Sequence, residues 1–186
     1  MVVVESVRVH GFRRLRIDDP LSFGSGLTVI RGHNEAGKSS LIEAILYGLY
    51  GDPSILTSKR LGYRRVEGRL DEVVNYGLNK TRIEVVFKVG HNKYRVYREI
   101  ERQGERARQT TARLEDLTGK KLLATNPTPV QEQVEKLIGM SWREMLVTNI
   151  VAQKDLDRII TLTQGERESI ITVSYTHLTL PTTERV

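Results

Sequence analysis

Apolar β-branched residues dominate the opening stretch MVVVESVRV, residues 1–9, and after Gly11-Phe12-Arg13-Arg14 a second extended stretch follows at residues 15–17. This pattern predicts two strands joined through an arginine-bearing turn. Gly24-Ser25-Gly26 makes a further turn, and the short apolar run at residues 27–30 predicts a buried strand that ends on a glycine-bounded loop. From Lys38 the period changes from two to that of a helix. Leu41, Ile42, Ile45, Leu46 and Leu49 form one broad stripe, closed by Gly51 and Pro53.

Residues 52–78 are polar and mixed in charge, and no element is assigned to them. Residues 81–89 and 94–100 are extended runs joined by Gly90-His91-Asn92, which predicts a β-hairpin. The charge-crowded residues 101–113 are expected to loop out, with 112–114 and 121–123 pairing across Thr118-Gly119. Thr128-Pro129 with Gln131 predicts a capped helix start, and Gly139 its end. Ser141 with Glu144 opens another helix from Trp142, which leads into Ile150-Val151-Ala152 and then Gln153. Thr163 with Glu166 begins a last helical stretch before the pattern changes at about Thr172.

Between the predicted strand and the predicted helix stands Gly32-His33-Asn34-Glu35-Ala36-Gly37-Lys38-Ser39, which fits GxxxxGKS. Glycines let backbone amides close on phosphate oxygens, and the helix N-terminus adds its partial positive charge. The expected binding residues are therefore Gly32, Asn34, Glu35, Ala36, Gly37, Lys38, Ser39 and Ser40. Lys38 would bridge the β- and γ-phosphates of ATP, and the Ser39 hydroxyl would ligate Mg2+. Ser40 adds a phosphate contact.

Charge agrees with an anionic partner without requiring one: 29 lysines and arginines face 23 aspartates and glutamates, a net +6. The absence of cysteine excludes a disulfide framework and thiolate metal chemistry. Neither the opening residues nor residues 41–50 have the length and apolarity of a membrane span, so a soluble, intracellular protein without membrane partners is expected.

Taken together, VRVHGFRRL, LTVI, GHNEAGKSSLIEAILYGLYG and IVAQKDLDRI resemble the N-terminal ATPase lobe of SMC-like ABC ATPases, closest to the SbcC-type DNA double-strand-break repair family. The resemblance covers residues 1–172. It implies an α/β P-loop NTPase fold, with an antiparallel β subdomain and a helical segment leading toward a coiled coil. It also implies that Arg13, with Arg14 beside it, touches the nucleotide, and that Gln153 is a catalytic residue that ligates Mg2+ and orients the attacking water. Glu35 stands where the family commonly has glycine, which leaves the subfamily open.

A carboxylate after four apolar residues, a signature motif and a switch histidine are not found in the sequence. In the family they belong to a C-terminal lobe beyond a coiled coil, so the chain is expected to be half of an ATPase head, inactive by itself. Completed by that lobe and a second protomer, such heads act on DNA ends with an SbcD-type nuclease in the cytoplasm, associated with the nucleoid. Residues 173–186 match nothing in the family and resemble translated sequencing-adapter DNA, so an artefact is expected there, with a threonine-rich extended tail ended by Pro181 as the alternative; no function is assigned to them. Other SMC-like ATPases, RecF-like or phage-defence, share this lobe and stay open, as does a nucleotide-binding module without turnover. A GTP switch is disfavoured because Asn79-Lys80-Thr81-Arg82 ends in arginine where NKxD needs an acid. Candidate DNA contacts are Lys59, Arg60, Arg64, Arg65, Arg102, Arg106 and Arg108.

Overall fold

The computed structural model describes residues 2–57, 70–75 and 77–150. Residues 1–142 form one unit and residues 143–186 a second. In the first, six strands make one sheet: β1 (Val2–Phe12), β2 (Leu15–Ser22), β3 (Lys80–Val89), β4 (Asn92–Gln103), β5 (Arg106–Asp116) and β6 (Lys121–Thr125). Their order is β2-β1-β3-β4-β5-β6, and every neighbouring pair is antiparallel. Helices α1 (Lys38–Tyr50) and α2 (Pro127–Ile138) pack on the sheet, α1 over β1, β3 and β4, and α2 over β5 and β6. A third helix, α3 (Trp142–Thr148), leads into the second unit. The result is a mixed α/β lobe with an antiparallel sheet, the fold class the sequence implies.

Alternation explains which face is buried. Thr81, Ile83, Val85 and Phe87 of β3 and Tyr94, Val96, Arg98 and Ile100 of β4 point inward, joined by Val7 and Val9 of β1 and Leu114 of β5. Each aliphatic chain buried in this way contributes about 1.5–3 kcal/mol. The opposite face carries charge ladders such as Lys80 with Glu99 and Glu101, and Arg95 with Glu115.

Several expectations need correction. Residues 27–30 form no strand; Leu27 is 92% exposed and Val29 65%. A buried strand needs a hydrogen-bonded neighbour, and among the described residues no strand of the sheet pairs with this run. Residues 101–113 do not loop out: β4 continues to Gln103, turns at Gly104-Glu105, and β5 returns from Arg106. Charge on both faces hid the alternation. The helix at Pro127 starts ahead of Thr128, its N-cap Asn126 sits at φ 71, and no side-chain cap bond forms. Gly139 does end it, its N–H donating to the Glu135 carbonyl. The pairing of β5 with β6 and the hairpin of β3 with β4 stand as expected. The predicted helix at Thr163, the coiled-coil root and residues 173–186 lie outside the described residues. Among the described residues no helix is long and apolar enough to cross a membrane.

Candidate nucleotide site

The loop at residues 32–37 is irregular backbone leading directly into α1. Gly37 adopts φ 93 as the N-cap, a conformation that favours glycine, and a side chain there would meet Leu15 Cδ2 at 2.8 Å. That contact puts the arginine turn between β1 and β2 beside the loop. Glu35 also has positive φ, at 64, and Gly32 lies so near Ala36 that a Cβ on it would stand 3.1 Å from the alanine Cβ. Within the loop the main chain turns back on itself, the Ala36 amide donating to the His33 carbonyl at 3.2 Å.

The first internal bond of α1 runs from the Leu41 amide to the Gly37 carbonyl, so the amides of Lys38, Ser39 and Ser40 precede the helical ladder. No side chain caps this end and no acidic residue stands in its first turn. An uncapped helix start with several amides together is a fitting seat for phosphate. Lys38 folds its ammonium onto the loop, donating to the carbonyls of Gly32 at 2.8 Å and His33 at 2.7 Å. Ser39 is exposed and Ser40 half-buried. The residues present therefore fit a triphosphate, with a hydroxyl in reach of the solvent side for a hard cation.

Arg13 occupies the turn with φ 52; its N–H donates to the Val73 carbonyl, and its own carbonyl accepts from Asn75 Nδ2. Its guanidinium pairs with Glu43 of α1, Nη2 to Oε2 at 3.0 Å. Glu43 is fully buried, and burial pushes its carboxyl up to about 7 against the opposing pull of Arg13. Sequence reasoning missed Glu43, although a single charge inside the apolar LIEAIL run was its signal. The expected α1 stripe is also rotated. Leu41, Leu46 and Leu49 are buried, but so are Ala44, Tyr47, Gly48 and Tyr50, while Ile42 is 43% exposed.

Gly48 explains the rotation, since a Cβ there would stand 2.6 Å from Val85 Cγ2 and 2.8 Å from Ile83 Cγ2, so α1 lies flush on β3. Of the basic candidates, Arg102 is committed to the protein itself, its Nη2 donating to the carbonyls of Asp71 at 2.5 Å and Val74 at 2.7 Å. Arg106 and Arg108 are exposed on β5. Lys59, Arg60, Arg64, Arg65 and Gln153 lie outside the described residues.

A family model described as AAA domain matches residues 6–176. The chain belongs to the AAA domain family. Among AAA domain proteins its likeness runs to the "DNA double-strand break repair Rad50 ATPase" of Thermoplasma volcanium, 28% identical over 171 residues, 91% of this chain and 17% of that protein. The SbcC component of the nuclease SbcCD of Vibrio cholerae is 28% identical over 153 residues, 77% of this chain and 14% of that protein. This AAA domain chain is an SMC-like ATPase segment of the SbcC and Rad50 type, and it spans about a sixth of the length of the curated relatives it matches. A solved structure titled as the recombination mediator protein RecF with ATP resembles it with TM-score 0.47 at 20% identity, covering 64% of this chain and 29% of that one.

Proposed function

We propose that the chain is the phosphate-gripping part of an ATP-driven head that acts on DNA double-strand breaks. The observation that carries this reading is the N-terminus of α1, without a side-chain cap and fed by the GxxxxGKS loop, whose amides at residues 38–40 precede the helical ladder. Names of the relatives support the repair context.

In this reading Gly32, Asn34, Glu35, Ala36 and Gly37 supply main-chain amides to the phosphates. Lys38 moves its ammonium from the two loop carbonyls onto the β- and γ-phosphates, a charge-assisted exchange favoured by the greater negative charge of phosphate. Ser40 adds a hydroxyl donor. Ser39 and Gln153 would hold Mg2+, which when bound supplies positive charge for phosphate oxygens as negative charge builds on them. Gln153 is also assigned the catalytic task of orienting the attacking water, its neutral amide avoiding the repulsion a carboxylate would bring. Arg13, standing in a turn that touches Gly37 through Leu15, reaches the nucleotide with Arg14, held back by Glu43 until that ion pair loosens.

Turnover requires a C-terminal lobe and a second protomer that complete the site from the other side. Closure of the two heads on DNA, with an SbcD-type nuclease partner, then turns nucleotide binding into mechanical work in the cytoplasm, on the nucleoid. Exposure of Leu27, Val29 and Ile30 supports a covering lobe, because these side chains lack cover and their backbone pairs with no strand of the sheet among the described residues.

The test is co-expression of this chain with a C-terminal lobe, measuring ATP hydrolysis with and without linear DNA. Stimulation by DNA ends that disappears in Lys38→Ala is expected; equal rates with and without DNA ends would remove the repair reading.

A further inference from the structure

Arg98 stands on an inward position of β4, fully buried, in a place that the alternation reserves for apolar side chains. Its Nε donates to the Gly48 carbonyl at 2.8 Å and its Nη2 to the Leu49 carbonyl at 3.0 Å, both in the last turn of α1. These are carbonyls that a helix C-terminus leaves without internal partners, and they lie at the negative end of the helix dipole. No carboxylate pairs with Arg98 among the described residues, and Nη1 has no hydrogen-bond partner there. Gly51, at φ 69, makes the approach possible: a Cβ on it would run into Nη1. The guanidinium thus holds main chain alone.

Such a burial is costly for packing by itself, since desolvation pulls the guanidinium down to about 10 and a well-fitted apolar chain in a buried ionic position is often equal or better for stability. A task other than cohesion follows from where α1 is held. Gly48 lies flush on Ile83 and Val85 and its carbonyl is gripped by Arg98, so packing and hydrogen bonding fix α1 at the same place, ten residues from Lys38. At about 1.5 Å per residue the loop lies about 15 Å from that anchor, so a tilt of α1 by about 10° would displace it by about 2–3 Å.

We propose that Arg98 is a positioning residue for the phosphate loop, fixing the far end of α1 so that the amides of Lys38, Ser39 and Ser40 stand at a set height over the sheet. Its effect on nucleotide rests on the reading of the loop given above, while its effect on the helix does not. Arg98 touches no part of the loop; it acts through ten residues of helix.

The experiment uses the whole chain with three substitutions, Arg98→Met, Arg98→Lys and Lys38→Ala. It follows amide hydrogen exchange along α1, binding of a fluorescent methylanthraniloyl ATP with Mg2+, and thermal melting. Arg98→Met is expected to melt near the parent yet to exchange the amides of residues 41–44, the first hydrogen-bonded amides of α1, about tenfold faster and to bind the analogue about tenfold more weakly, the range of a modest internal coupling. Arg98→Lys, which keeps the charge and one donor, recovers part of both. Parental exchange at residues 41–44 in folded Arg98→Met would overturn the proposal. Should Arg98→Met not fold, Arg98→Lys decides, because parental exchange in it would overturn the proposal equally. A parent that binds the analogue no better than Lys38→Ala would refute the reading of the loop, leaving the exchange data to judge Arg98.

Discussion

The two ends of α1 solve the same chemical problem in opposite ways. At the C-terminus the free carbonyls are met by a buried guanidinium and by the Gly51 N–H, which donates to the Tyr47 carbonyl at 2.7 Å. At the N-terminus the free amides meet no capping side chain and stand in exposed backbone. A side-chain cap contributes about 1 kcal/mol, and α2 also starts without one, so what sets the start of α1 apart is the glycine-bounded loop that feeds it. The contrast teaches that one end is finished by the fold, while the other is left open for the ligand proposed above.

The strongest way to break this comparison is at the open end. Lys38→Ala should weaken binding of a Mg2+-ATP analogue by about 3 kcal/mol, roughly a hundredfold, with unchanged melting, as titration calorimetry would read it. Unchanged affinity would mean that the open end is merely unfinished.

Next in size is the middle of the helix. The carboxyl of Glu43 sits at about 7 in the fold against an ordinary 4.5, so the folded state holds its proton more tightly. The associated stability is fully present below pH 4.5 and is lost as pH rises through 7, at most about 3 kcal/mol. Urea midpoints of the parent should fall from pH 4.5 to pH 8 by more than those of Glu43→Gln.

Smaller effects sharpen the closed end. Gly51→Ala forces a left-handed residue and pushes on Arg98, so a loss of about 2 kcal/mol is expected in chemical denaturation. The same change in an Arg98→Met background should cost less, because the two share one contact. The smallest effect tests the start of α2, where Asn126 holds φ 71 without forming a cap bond. Asn126→Gly should raise stability by about 0.5–1 kcal/mol, visible as a higher melting temperature.

How much of this was legible in the sequence depends on where the physical cause lies. The irregular loop before α1, the start of α1 at Lys38 and its end at Gly51 are local matters of glycine and spacing, and they stand where the sequence places them. The hairpin of β3 and β4 is local too, alternating around Gly90-His91. Residues 27–30 misled because apolar β-branched composition signals a strand only when a neighbouring strand exists. The rotation of α1 depends on Gly48 fitting against Ile83 and Val85, a contact between residues more than thirty apart. Arg98 left a signal that went unread: in KYRVYREIE it falls in phase with Tyr94, Val96 and Ile100, a charge on the apolar beat.

Because Arg98 grips oxygens of the peptide chain, the hold is indifferent to which side chains decorate the end of α1. Its one dependence falls on the empty space at Gly51. Drift at Leu49 leaves the grip intact, whereas a side chain acquired at residue 51 crowds the arginine at 98, so changes at the two positions are energetically coupled.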